Sequence, residues 1–447
     1  MKLWDKGYDD DARIDAFTVG RDRELDLFLA PFDILGTMAH ITMLASRELL
    51  PEQDLQPLLD ELKSIYRSAV EGKFVIEDDV EDVHSQVELL LTRKLGELGK
   101  KVHTGRSRND QVLLDLKLYG RSRLERSVLK IKALFDILQK RSDECAGILM
   151  PGYTHLQVAM PSSFGLWFGA YAESLASDLS LFKAAWDVTN RNPLGSAAGY
   201  GSSAPLDRSM TTRLLGFDDL DYNVVYAQMG RGKTERIIAF ALASAAETLG
   251  RLATDCCMYA SQNFGFIRLP DSMTTGSSIM PHKKNPDVFE LIRARCNKIN
   301  AAPTTLRMIC TNLPSGYFRD MQILKEVFIP LFDELDDCLD IAAYALPLIE
   351  INGKLMDDPK YKAAFSVEEV NRLVSEEGVP FRDAYRRVGE SVLRGDFEYE
   401  GVLHHTHEGS IGNLCNDRIR ARFERVYESF GFGQVHEAVK ALLESAR

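Results

Sequence analysis

The sequence predicts an all-α protein organised around a central bundle of unusually long helices. Three observations carry this. From Val112 onward, apolar residues recur every three to five positions over many turns with no proline among them, the pattern of an amphipathic helix. That pattern returns in several later stretches. Alternating apolar and polar runs bounded by hairpin turns are almost absent, although a sheet would require them. At 447 residues, the chain exceeds one small core, and two or three domains are the natural division.

Taken in order, residues 1–105 are charged and interrupted. Helical stretches are expected from about Asp22 to Leu49, from Pro51 to Val70 and, after a turn at Gly72, from Asp79 to Leu98. This is read as an N-terminal helical domain. Residues 106–358 form the central domain. Its first helix carries Val112, Leu116, Tyr119, Leu124, Val128, Ile131, Phe135 and Leu138 as one stripe. Phe164, Phe168, Tyr171, Leu175, Leu179, Phe182 and Trp186 form a second stripe, and Ile238, Leu242, Ala245, Leu249, Leu252, Cys256 and Tyr259 a third. A fourth helix should start at Pro286, with Val288, Ile292 and Ile299 facing inward, and a fifth should span about Met321 to Ile349. Residues 359–447 are shorter-helical, broken by Gly378, Pro380, Gly395 and Gly409, and are read as a small C-terminal helical domain. Long helices apolar over more than one face leave more surface than one subunit can cover, so an oligomer is expected.

Composition narrows the function. A formal charge of −12 argues against a general nucleic-acid or anionic-membrane binder, which needs a basic surface. No apolar run approaches the roughly 20 residues needed to cross a bilayer, and Met1-Lys2-Leu3-Trp4-Asp5 lacks the shape of a signal peptide. A soluble cytoplasmic protein is expected. Seven cysteines, with Cys256 and Cys257 adjacent and no Cys-x-x-Cys pair, make neither a disulfide framework nor a zinc knuckle. His404, His405 and His407, followed by Glu408, match no ligand motif and read as a polar loop or helix end. With no nucleotide, metal or flavin motif visible, no cofactor is expected.

Four stretches carry chemistry. In Gly276-Ser277-Ser278-Ile279-Met280-Pro281-His282-Lys283-Lys284-Asn285-Pro286, small residues leave backbone N–H groups accessible and lysine adds charge. Asn285-Pro286-Asp287 reads as an N-cap followed by proline at the first helical position, so an anion should collect there. In His103-Thr104-Gly105-Arg106-Ser107-Arg108-Asn109-Asp110-Gln111, a glycine permits a tight turn, two arginines can fork onto carboxylates, and Asn109 or Asp110 can cap the helix. Pro151-Gly152-Tyr153-Thr154-His155-Leu156-Gln157 sets a histidine on a loop, with Pro161 opening the next helix. Tyr317, Gln322 and Lys325 fall in one short run, and the last two share a helix face at a spacing of three. Gly199-x-Gly201-x-x-Ala204 fits the dinucleotide fingerprint as a pattern, but Asn192-Pro193 precede it and Pro205 follows. That motif needs a strand before it and a helix after it, so the stretch is read as a loop between bundle helices.

Ser277-Ser278-x-Met280-Pro281-x-Lys283-x-Asn285 resembles the signature loop of the fumarase/aspartase superfamily, whose members release fumarate. The run from His103 to Gln111 matches the argininosuccinate lyase/δ-crystallin family letter for letter. The resemblance runs from Leu3-Trp4 to about Gly389 and is densest between His103 and Lys325. It departs at Asp5-Lys6-Gly7-Tyr8, around Thr18 to Arg21, where relatives place a substrate-contacting serine, and at Ala363 to Val367.

The resemblance implies a homotetramer whose core is the long-helix bundle, with active sites shared between subunits and argininosuccinate as substrate. Ser277 is then the base taking the Cβ proton, with its alkoxide stabilised by Lys283 and loop amides. His155 is the acid for the leaving guanidino group and Glu290 orients it. Sequence leaves the reverse assignment of Ser277 and His155 open. Lys283 and Asn285 would hold the succinyl carboxylates, with Arg108, Asn109 and Thr154 holding the rest. Tyr317, Gln322 and Lys325 would take the amino-acid end. Two alternatives are another fumarate-releasing lyase, such as an adenylosuccinate lyase, and a non-catalytic structural protein like the δ-crystallins. Arg106 to Gln111, with Tyr317, Gln322 and Lys325, weigh against the first; Ser277, Lys283, His155 and Glu290 weigh against the second.

Overall fold

A computed structural model describes residues 12–403 and 405–444 of the chain. The departure at Asp5 to Tyr8, the Leu3-Trp4 pair and His404 therefore lie outside the described residues. The architecture is helical, with strands confined among the described residues to three two-stranded ribbons. Helices α1 (Ala30–Ser46), α2 (Glu52–Val70) and α3 (Val83–Leu95) form the first part. The bundle is built from α4 (Arg108–Glu144), α5 (Phe164–Thr189), α6 (Lys233–Tyr259), α7 (Asp287–Ile309) and α8 (Leu324–Ala345). Then follow α9 (Ser366–Glu377), α10 (Phe381–Arg394), α11 (Asn416–Tyr427) and α12 (Phe432–Glu444).

Periodicity placed the bundle well. All eight stripe residues predicted for α4 and all seven for α5 are buried, and they join the α6, α7 and α8 stripes in one continuous core. Helix α6 is long and apolar enough to cross a membrane by length and composition, but 56% of its most apolar window is buried within the fold. It packs along α5 and α7. A second core lies under α1 to α3 and takes in Leu114 and Leu118 from α4. The segment around α9 and α10 closes on a small core of its own. Phe423, Phe430 and Val435 return to the bundle core, and Leu442 reaches the core beneath α1 to α3.

Several expectations are corrected. The stretch after α4 is a β-hairpin, β1 (Leu149–Thr154) with β2 (Gln157–Ser163). Pro161 lies within β2, and α5 starts three residues later, capped by Ser163, whose Oγ accepts the Leu166 N–H at 3.1 Å. The N-cap of α4 is Ser107, in place of Asn109 or Asp110. Its Oγ accepts the Asn109 N–H, while Asp110 Oδ1 accepts the Ser107 N–H at 2.9 Å, completing a capping box. Asn285 does not cap α7: it forms a bridge with Thr275, and the helix begins at Asp287. The helical stretch expected from about Asp22 to Leu49 is divided into Asp22–Leu25, a 3₁₀ turn Asp26–Phe28, and α1. Pro31 in the first turn of α1 suits a new helix start.

Candidate active site

The predicted residues gather at two ends of the bundle. At one end the N-termini of α4, α6 and α8 meet the C-terminus of α7 and enclose a cavity of about 200 Å³. Arg108, Asn109, Tyr317, Gln322 and Lys325, all singled out from sequence, line it together. With them stand Asp22, Asp26, Glu81, Asp82, His84, Arg231 and Arg319, none of which was foreseen.

The lining is a lattice of opposed charges. Glu81 accepts from Arg108 at 3.0 Å and from Arg319 at 2.6 Å, and Arg108 also meets Asp82 at 3.0 Å and the Ser85 hydroxyl at 2.6 Å. Lys325 is buried, with its ammonium 2.6 Å from both Asp22 and Asp26. Burial works against that charge, but Asp26 and Asp22 outweigh it and push the ammonium pKa up. Burial likewise lifts the Asp22 carboxyl to about 6, against the pull of Lys325 and aided by Asp26. Gln322 spends its amide on the protein: Nε2 donates to the Thr18 and Val19 carbonyls at 2.8 and 3.1 Å, and Oε1 accepts from Arg319. Beneath the cavity, His84 Nδ1 lies 2.7 Å from Asp33 and 3.6 Å from Asp115. Burial disfavours its imidazolium, yet Asp33 and Asp115 prevail and raise its pKa to about 9. The backbone before α6 is fixed by Gly232, whose φ of 76° suits glycine and whose N–H is held by Glu235 at 2.7 Å. This anchors Arg231, which donates to the Met321 carbonyl at 2.9 Å.

The glycine-rich loop that mimics a dinucleotide fingerprint serves this same end. Asp110 Oδ2 accepts the N–H groups of Gly195 and Ala197 at 3.0 and 2.9 Å, tying the loop to the first turn of α4.

Thr154, His155, Ser277, Lys283, Asn285 and Glu290 lie at the opposite end. His155 sits at the tip of the hairpin that follows the C-terminus of α4, and Tyr153 beside it packs on Phe264 and Phe266. His155 and Leu156 take φ of 54° and 58°, the two central positions of a tight hairpin turn. Non-glycine residues rarely adopt that backbone, and it costs free energy. The signature loop leaves from the same end, before α7, and its neck is closed by paired backbone bonds between Thr275 and Asn285. Within it, Ser277 Oγ accepts the N–H groups of Ile279 and Met280 at 3.3 and 3.1 Å. Lys283 is exposed, and Glu290 projects from the first turn of α7 to solvent. Among the described residues of one chain no hydrogen bond joins His155 to Glu290. Helix α4 has 37 residues, so at about 1.5 Å per residue its two ends stand roughly 55 Å apart. One chain does not bring His155 to Arg108.

Comparison with known proteins shows the family. A family profile described as "Lyase" matches residues 11–300. The chain is 63% identical over 443 residues to an argininosuccinate lyase of Phocaeicola vulgatus and 62% identical to one of Bacteroides fragilis, covering 99% of both chains in each case. It is 38% identical to one of Thermotoga neapolitana, with 88% of this chain and 98% of that one covered. Among solved structures, an EDDS lyase in complex with formate superposes with a TM-score of 0.80 at 20% identity, over 98% of this chain and 96% of that one. A class II fumarase from Schistosoma mansoni gives 0.71 at 15%, over 95% and 94%; these two establish the shared fold. By whole-length likeness to its relatives, the chain belongs to the argininosuccinate lyase family.

Proposed function

We propose that the chain cleaves argininosuccinate to fumarate and arginine, in sites completed by neighbouring copies of itself. The observation that carries the reaction is the 63% identity over 99% of both chains to an argininosuccinate lyase. The supporting chemistry is local. The substrate's arginine half ends in an α-carboxylate and an α-ammonium, and a cavity lined by both signs of charge suits such a zwitterion. The succinyl half needs a base at Cβ, a proton for the departing nitrogen, and positive or N–H groups around the carboxylate that gains charge in the carbanion.

Ser277 serves as the base. Two backbone N–H groups already point at its Oγ, and hydrogen bonds to an oxyanion favour the charged form. Lys283 adds an ammonium when the loop folds over substrate. Ser277 takes the Cβ proton, Lys283 and Asn285 hold the succinyl carboxylates, and the Cα–N bond breaks. His155, as imidazolium oriented by Glu290, gives its proton to the leaving guanidino nitrogen. Arg108, Asn109 and Thr154 steady the substrate between the two ends, while Tyr317, Gln322 and Lys325 shape the arginine pocket. The loop and hairpin lie a bundle's length from that pocket, so they complete it in a neighbouring subunit, as a homotetramer with antiparallel bundles allows. The same reading places a three-part division of the chain at residues 1–105, 106–358 and 359–447, and the protein in the cytoplasm.

Purified protein given argininosuccinate should release fumarate and arginine in equal amounts, followed by ultraviolet absorbance and amino-acid analysis. Cleavage of adenylosuccinate in its place, or of neither compound, overturns the proposal.

A further inference from the structure

Apolar side chains exposed singly are ordinary on a protein surface, but this chain exposes two groups of them, one at each end of the bundle. At the His155 end, the 3₁₀ turns Leu355–Asp357 and Pro359–Phe365 pack along β1 and β2, with the buried Tyr361 ring 6.3 Å from that of Phe266. These turns lead into α9 and α10, whose small core is closed through Ala384 and Val388. Beside that core, α10 shows a ridge at a spacing of four. Phe381, Tyr385 and Leu393 are exposed, the first two with rings stacked 6.4 Å apart, and Gly389 holds the remaining place. Glycine weakens a helix interior, yet a side chain at Gly389 would meet nothing within 4 Å, so packing in its own chain does not call for glycine. The result is a notch in the ridge between Tyr385 and Leu393. At the cavity end, the helix Ala12–Val19 carries Ile14 and Phe17, three apart and so on one face, both exposed and Phe17 by 87%. Its last residues, Thr18 and Val19, give their carbonyls to Gln322, which sets this helix at the rim of the cavity.

We infer that α10 of one copy docks on the helix Ala12–Val19 of a neighbouring copy, with Phe17 seated in the notch at Gly389. The inference rests on the proposed function, in which the His155 end of one copy lies against the Arg108 cavity of another. Helix α10 travels with the His155 end, so it arrives at the rim where Phe17 stands. The contact therefore continues the surface over which the site is shared. Two antiparallel copies make it twice, once in each direction. The chemistry matches on both sides: grouped apolar surfaces mark an interaction site and leave water together, and a gap in a helix ridge admits a ring from a facing helix. Arg382 and Arg386, exposed beside the ridge, stay at its edge as a polar rim.

The test replaces Phe17 by the photoreactive p-benzoylphenylalanine in the full chain, assembled from a mixture of isotopically heavy and light chains. After irradiation a denaturing gel should show a band of twice the chain mass. Mass spectrometry of that band should join position 17 of one chain to residues 381–393 of another, heavy to light. Gly389→Leu fills the notch without touching its own chain and should remove most of the cross-link. Should Gly389→Leu not fold by circular dichroism, Tyr385→Asp is read the same way. Cross-links that fall elsewhere or within one chain, a yield untouched by filling the notch, or a monomer in light scattering overturn the inference. Turnover of argininosuccinate, measured separately, tests the proposed function. If argininosuccinate is cleaved in shared sites while position 17 links elsewhere, the docking alone is wrong; if turnover is absent while the link forms, the reaction is wrong and the contact stands.

Discussion

Replacing Lys325 by methionine removes the single ammonium that lies 2.6 Å from two carboxylates while keeping a stem of similar size. Asp22 and Asp26 are then left together in the wall of the cavity, and one of them must take a proton. Asp22, already lifted to about 6, is the one. In the unfolded chain the same group titrates near 3.8. Protonating it in the folded state costs about 1.4 kcal/mol for each pH unit above that value. Removing one partner of a buried pair costs roughly 3–5 kcal/mol, and the variant should lose about that much at about pH 7, part of it as this protonation cost in excess of what wild-type Asp22 already carries. The sign of the pH effect follows. A folded carboxyl with raised pKa binds more protons than its unfolded counterpart, so the variant regains stability as pH falls toward the unfolded value. At about pH 5 the protonation cost drops below about 2 kcal/mol, and wild-type Asp22 is itself mostly protonated there, so the gap narrows further. Denaturant unfolding followed by circular dichroism at the two pH values measures this. A gap of equal size at both, or one under about 1 kcal/mol at about pH 7, refutes the reasoning.

Ser277→Ala should abolish turnover and leave substrate binding largely intact; near-normal kcat removes Ser277 from the role of base. His155→Asn should lower kcat by about 10² to 10⁴ if it passes a proton, whereas an effect on KM alone makes it a binding residue. His84, held as an imidazolium to about 9, has a folded pKa above its ordinary 6.5. Its stabilising contribution is complete below about 6.5 and is lost as pH rises through about 9. His84→Gln should flatten the fall in unfolding free energy across that window, and an unaltered slope shows that other groups cause it.

Much of the bundle was legible because burial there follows helix geometry alone. Phe135, Leu138, Phe168 and Leu179 lie on stripes that any close-packed partner would bury. The hairpin escaped because its turn uses His155 and Leu156 at positive φ, where turn chemistry favours glycine or asparagine. Asp22 and Asp26 escaped because Asp22-Arg23-Glu24-Leu25-Asp26 reads as a solvated helical face until the fold sets it against Lys325. The buried group of Asp33, His84 and Asp115 draws on α1, α3 and α4, and no local spacing connects these elements. Motif reading found chemical groups at both ends of the bundle. Sequence could not give their separation, which depends on the direction in which each long helix runs.

That separation sets the decisive measurement. Ser277→Ala and Arg108→Ala are purified as inactive oligomers, mixed, dissociated and reassembled, and fumarate release from argininosuccinate is then compared with either variant alone. If the loop reaches the Arg108 pocket from a different subunit, random reassembly of equal amounts leaves about a quarter of the sites with both residues intact, and activity should return to about that fraction of wild type. If each chain supplies both residues to its own site, the mixture stays as inactive as its components, and the shared-site account is contradicted.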